Sequence, residues 1–68
     1  MTTVIKTEIV NGHYIEINQD KYSIVYRVIY GRDYGNGYAS CPYDERYYGD
    51  LPKANRRFRD LKRKLRGE

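Results

Sequence analysis

One cysteine, one histidine, one phenylalanine, two prolines and no tryptophan stand among the 68 residues, and each shortage removes a class of explanation. Cys41 alone cannot close an internal disulfide, and with only His13 beside it there is no plausible zinc set. A single unpaired cysteine fits a reducing compartment. No stretch reaches the roughly 18 apolar residues that a membrane span needs. The opening MTTVIKTEIV lacks the basic segment and apolar block of a signal peptide. The expectation is a cytoplasmic protein without membrane contact. At this length one domain is the limit, near the size where packing alone, or a second copy, must complete the core.

Catalytic signatures are also missing. His13 falls beside a turn, and Cys41 precedes Pro42 with no neighbour to activate it. Asp44 and Glu45 are adjacent and therefore point different ways. Gly31, Gly35 and Gly37 have neither the spacing nor the following Lys-Ser/Thr of a phosphate-binding loop. A chain this short has little room for a substrate pocket. A protein that is not an enzyme, with no metal and no cofactor, is expected.

What the chain does have is tyrosine and uneven charge. Nine tyrosines suit half-buried strands and contact surfaces alike, because the ring buries area while its tip stays polar. Residues 1–50 carry five basic and seven acidic side chains, a net −2, whereas residues 51–68 carry eight basic and two acidic, a net +6. Such asymmetry points to a polyanionic partner.

TVIKTEIV and HYIEIN read as strands around Asn11-Gly12, a strong hairpin signal. A two-residue loop would put Ile5 and Ile9 on the face opposite Ile15 and Ile17. A three-residue loop pairs Ile5 with Ile17 and Thr7 with Ile15, and sets Lys6 across from Glu16; this register is the one expected. YSIVYRVIY, residues 22–30, is the strongest strand, entered by a turn over Gln19, Asp20 and Lys21. Ile24, Tyr26 and Val28 then join the isoleucine face, with Val25, Arg27 and Ile29 on the other. GRDYGNG is a loop, Tyr38–Cys41 a short fourth strand ended by Pro42, and residues 44–50 a second loop.

Leu51, Ala54, Phe58, Leu61 and Leu65 recur at spacings of three and four, the narrow apolar stripe of a helix over residues 51–66. Asp50 is placed to cap its start, Pro52 is tolerated in its first turn, and Gly67 ends it. The predicted fold is α+β: a three- or four-stranded antiparallel sheet over residues 1–43, packed through its isoleucine face against one C-terminal amphipathic helix. The order of three strands followed by a helix resembles, in topology alone, small DNA-binding domains of the AP2 and integrase amino-terminal kind.

Three candidate surfaces follow. Arg56, Arg57, Arg59, Lys62, Arg63, Lys64 and Arg66 lie outside the stripe and form a candidate nucleic-acid-binding face for DNA or RNA. The plain alternative is a solvated helix, but such faces mix signs, and here Asp60 is the one nearby acid. The outer sheet face would expose Val4, Tyr14, Val25, Arg27, Ile29 and Tyr38, which suits a protein partner or a homodimer, or else a covering loop; Glu8 and Glu16 there disfavour nucleic acid. Tyr34, Tyr43, Tyr47 and Tyr48, with Arg32 and Arg46, give the third, an aromatic and arginine mixture found where bases stack and in protein-binding loops. The sequence therefore predicts a small binding module that contacts nucleic acid or a nucleoprotein through its basic helix. The alternative is an interaction or inhibitor protein of the phage or mobile-element accessory type. It would dock through the tyrosine-rich loop and through Tyr14, Arg27 and Ile29 on the outer face.

Overall fold

Alternating side chains around a two-residue turn build the first half of the molecule. The computed structural model describes residues 2–35 and 42–67. Strand β1 (Thr2–Val10) turns at Asn11-Gly12 into β2 (His13–Asp20), followed by β3 (Tyr26–Arg32), β4 (Asp44–Tyr48) and helix α1 (Leu51–Leu65). The strands form one antiparallel sheet in the order β1-β2-β3-β4, and α1 packs across β2, β3 and β4. This is the α+β architecture expected from the sequence. The short strand expected over Tyr38–Cys41, and Tyr38 itself, lie outside the described residues.

The hairpin register differs from the expected one. Val10 pairs with His13, so the loop has two residues, and Asn11 (φ 48°) and Gly12 (φ 76°) both take the left-handed conformation of the mirror-image turn that matches strand twist. Lys6 consequently pairs with Ile17, Thr7 with Glu16 and Glu8 with Ile15. The expected Lys6–Glu16 pair does not form. A bulge at Ile5 then shifts the register, and Val4 meets Asn18 as the three-residue loop would have required. The isoleucines of β1 lose to the turn: Ile9 lies on the face away from the helix and is 53% exposed. Lys6, Glu8 and Val10 take the helix side.

Two further boundaries move. β3 begins at Tyr26 rather than Tyr22, because the Ser23 N–H donates to the Asp20 carbonyl (3.0 Å) and the Val25 N–H to Ser23 Oγ (3.1 Å). Val25 thus sits in a turn rather than on the outer face, and Tyr22 and Ile24 are almost fully exposed. Residues 44–48, expected as loop, form an edge strand in which Tyr26 pairs with Tyr48 and Val28 with Arg46.

The core is Val10, Ile15, Ile17 and Val28 from the sheet against Ala54, Phe58 and Leu61, with Tyr26, Tyr30, Tyr48, Leu51 and Leu65 around it. Each large apolar side chain fully buried here stabilises the fold by about 1.5–3 kcal/mol. Asp50 caps α1 as predicted, its carboxylate accepting the Lys53 N–H at 2.9 Å. At the other end Gly67 is left-handed (φ 82°), and Asn11 Nδ2 donates to the Leu65 carbonyl at 2.7 Å. Asn11 thus serves the turn with its backbone and the helix end with its side chain.

Those two roles separate by mutation. Asn11→Gly keeps the turn and loses the bond to Leu65, an expected cost of about 1 kcal/mol or roughly 4–8 °C in Tm. Asn11→Ala adds about 1–2 kcal/mol of left-handed backbone strain and should melt lower still. Thermal unfolding followed by circular dichroism checks the order; equal losses would show that the left-handed requirement at Asn11 is not felt.

Candidate functional site

Helix geometry divides the basic residues into two groups. Arg57 and Lys62 flank the buried stripe on opposite sides and reach down to the sheet. Arg57 Nη2 lies 2.8 Å from Asp44 Oδ2 on β4, and Lys62 Nζ lies 2.9 Å from Glu8 Oε2 on β1. Both cations are mostly covered, with 20% and 26% of their side chains exposed. They clamp the helix to the sheet rather than offering charge to a partner. Lys6 adds to the clamp, its ammonium 4.7 Å from the centre of the Phe58 ring.

Arg56, Arg59, Arg63, Lys64 and Arg66 are all exposed and have no acidic partner among the described residues. Arg56, Arg59, Arg63 and Arg66 stand at spacings of three, four and three, so they share one side of the helix. The row spans about 15 Å along the axis. Because Ala54, Phe58 and Leu61 are buried and Arg57 and Lys62 are tied down, its direction relative to the sheet is fixed.

The acids that would oppose a polyanion are engaged elsewhere. Asp44 accepts from both Arg46 Nε (3.0 Å) and Arg57. Asp20 and Glu45 both hold Arg27, at 3.0 and 3.3 Å. Asp50 caps the helix and lies 3.8 Å from Lys53 Nζ, and Asp33 Oδ1 accepts the Gly35 N–H at 3.0 Å. Among the described acids Asp60 alone has no such partner. It lines an open groove of about 350 Å³ with Arg46, Tyr48, Lys53, Arg56 and Arg57, between β4 and the first turns of the helix.

On the sheet face away from the helix, hydrogen bonds run across three strands. Glu16, 8% exposed, accepts from the Tyr14 hydroxyl (3.0 Å) and from Asn18 Nδ2. Asn18 Oδ1 accepts from Arg27 Nε (2.8 Å), and Glu45 Oε1 takes both Arg27 Nη1 and the Tyr47 hydroxyl (2.6 Å). Burial and the Glu16 carboxylate raise the Tyr14 hydroxyl above its ordinary range, so it stays a donor. Burial works against the Arg27 charge, but Glu45 and Asp20 outweigh it and hold the guanidinium charged. Asn18 joins the buried carboxylate to the arginine, and the sequence reading missed this ladder. The alternation of Tyr14, Glu16, Asn18 and Asp20 between Ile15, Ile17 and Gln19 was its signal.

The predicted partner-binding residues are brought together only in part: Tyr14, Arg27, Ile29 and Tyr47 share the outer face, and Tyr34, Tyr43 and Tyr48 do not. Tyr14 is buried in the ladder, where Arg27 and Ile29 are half-buried beside it. Tyr47 is on the same outer face and 59% exposed, whereas Tyr48 packs on the core beneath the helix. Tyr43 meets His13 and Tyr30 edge-on at the far end of the sheet, and Tyr34 lies under Arg32 with 65% of it exposed. Glu8, expected on the outer face, is on the helix side. Among the described residues no helix is long and apolar enough to cross a membrane, and no cluster of His, Cys, Asp or Glu could hold a metal ion.

No protein-family model, curated protein or solved structure matches the chain.

The Asp44 clamp has a pH signature. Burial alone would raise its carboxyl, but hydrogen bonds from Arg46 and the Glu45 N–H, with the charges of Arg46 and Arg57, hold it below the ordinary carboxylate range. Its contribution to stability is therefore complete above the unfolded value of about 3.9 and is lost as pH falls through the lower folded value. Asp44→Asn should lower Tm at neutral pH, with the gap to the parent protein closing below about pH 4. Melting curves across pH check this; a gap that is constant down to the lowest pH would detach the effect from the carboxylate.

Proposed function

We propose that the protein is a non-catalytic module that binds nucleic acid, alone or within a nucleoprotein, through the exposed arginine row of α1. The observation that carries the reading is the contrast within one helix: Arg57 and Lys62 are neutralised by the sheet, while Arg56, Arg59, Arg63, Lys64 and Arg66 are not. A solvated face with no partner would be expected to pair its charges along the helix at i to i+4, as ordinary surface helices do. Here Asp60, four residues after Arg56 and lining the groove beside it, forms no ion pair with the row among the described residues.

Arginine suits this use. Its planar fork donates two parallel hydrogen bonds to a phosphate, and its charge persists at any physiological pH. Successive phosphates on one strand of a duplex advance by about 3.4 Å along the axis, so a row of about 15 Å spans roughly four of them. A helix of this diameter also fits the major groove of B-form DNA. Phosphate contacts supply affinity and orientation without reading sequence.

A protein partner on the tyrosines is the weaker reading, because Tyr14, Tyr34, Tyr43, Tyr47 and Tyr48 occupy separate parts of the surface and core. A hot-spot cluster needs its anchors together.

Binding of labelled DNA and RNA, measured by fluorescence anisotropy across salt concentration, tests the proposal. With four or five phosphates neutralised on duplex DNA, log K should fall against log salt with a slope of about −3.5 to −4.5. Replacing Arg56, Arg59, Arg63 and Arg66 by Gln should remove most of that slope and weaken binding at least about 100-fold at low salt. No binding of either polymer at low salt sinks the reading.

A further inference from the structure

We propose that the free edge of β1 pairs with the same edge of a second copy, antiparallel about a two-fold axis at Thr7. β1 is an outer strand of the sheet, nine residues long, and eight of those residues are at least partly exposed. The helix packs on β2, β3 and β4 and leaves this edge uncovered. Val4, Ile5 and Ile9 are 54%, 39% and 53% exposed on it. The opposite edge, β4, is five residues long and bordered by the Arg46–Asp44–Arg57 ion pairs. A longer edge with exposed apolar side chains is a template for another strand.

Geometry selects the axis. A two-fold normal to the sheet preserves its faces, so residues that meet across it must come from the same face of each copy. Within the regular stretch Lys6–Val10 the axis can therefore stand at Lys6, Thr7, Glu8 or nearer the turn. At Lys6 or Glu8 it sets like charges directly opposite each other, which is destabilising. Nearer the turn it leaves too few residues to pair. At Thr7 it sets Lys6 opposite Glu8 of the second copy, twice. It also brings Ile9 toward Ile5, the bulge residue at which the regular pairing ends.

The sequence is built for that arrangement. Within the regular stretch, Lys6-Thr7-Glu8 is symmetric about Thr7 with lysine exchanged for glutamate, and an isoleucine, Ile5 or Ile9, flanks it on each side. The hydrogen bonds agree. Val10 and His13 close a two-residue turn and are a hydrogen-bonded pair, so alternation turns the N–H and C=O of Ile9 and Thr7 outward. Thr7 would face its own copy as a hydrogen-bonded pair on the axis. Glu8 receives Lys62 on Oε2, and its Oε1 has no partner among the described residues. The bulge at Ile5 limits regular pairing to a few residues, so the interface is small and the dimer is weak.

This pairing does not depend on what the helix binds. Both helices of the dimer lie on the same face of an eight-stranded sheet, so their arginine rows point to the same side.

Sedimentation equilibrium of the whole protein without nucleic acid, over roughly a hundredfold concentration range, reads the association directly. The expected result is a monomer that becomes a dimer with rising concentration. Thr7→Pro removes the outward N–H at the axis, a place where an edge strand tolerates proline, and should weaken the dimer at least about tenfold. Lys6→Glu and Glu8→Lys each put like charges opposite and should remain monomeric, whereas their equimolar mixture restores both opposite-charge pairs and should associate. Circular dichroism confirms that each variant is folded. A parent protein monomeric throughout, a dimer indifferent to Thr7→Pro, or a mixture that stays monomeric overturns the proposal. A dimer that survives Thr7→Pro and is lost with Ile29→Asp would place the second copy on the outer sheet face instead.

Discussion

A two-residue turn decides on which side of the sheet every side chain of β1 lies. Because strand side chains alternate, one residue more in the loop would exchange the two faces of the strand. Asn11-Gly12 accepts the left-handed backbone at both positions, and the rest follows. Lys6 and Glu8 come to the helix side, where Phe58 and Lys62 meet them, and Thr7 and Ile9 go to the other. The bulge at Ile5 corrects the phase beyond that point, so Val4 and Thr2 face Asn18 and Asp20. Thr2 Oγ1 then donates to Asp20 Oδ1 at 2.8 Å, joining the far end of β1 to the Arg27 cluster.

The same turn sets the charge balance of the surface. Acidic side chains of the sheet are consumed locally, on Arg27 along the outer face and on Arg46, Arg57 and Lys62 along the helix flanks. Isolated surface pairs of this kind contribute little to stability. Their effect here is orientation. Two pairs on opposite flanks prevent the helix from rolling on its narrow stripe, and the cations they leave over are concentrated on the exposed side. The excess of positive charge that the composition records is thus localised by packing.

The helix was legible because its signals agree. Leu51, Ala54, Phe58, Leu61 and Leu65 keep one period, and Asp50, Pro52 and Gly67 mark its ends. The basic row was legible for the same reason, but its division was not: nothing in the spacing of Arg57 or Lys62 reveals that Asp44 and Glu8 wait beneath them. The hairpin register was misread by counting isoleucines on one face. The outer face of β2 carries Tyr14, Glu16 and Asn18, whose hydrogen bonds satisfy a polar interior, so the sheet has no need to gather every isoleucine on the helix side. YSIVYRVIY is largely apolar on both faces and admits several strand windows; pairing of Ile17 with Val28 chooses the one that begins at Tyr26. Asp44–Tyr48 shows no apolar alternation because its inward side is held by ion pairs and Tyr48 rather than by an aliphatic row.

Lys6 and Glu8 also matter before the fold is complete. The chain emerges from the ribosome hairpin first, and α1 follows the strands it will cover, so the Ile15, Ile17 and Val28 face is bare while the helix is still being made. Charged residues bordering such a face act as gatekeepers against its joining other nascent chains. Lys6 and Glu8 put a charge of each sign at the border of that bare face, and the same two side chains receive Phe58 and Lys62 when the helix closes over it.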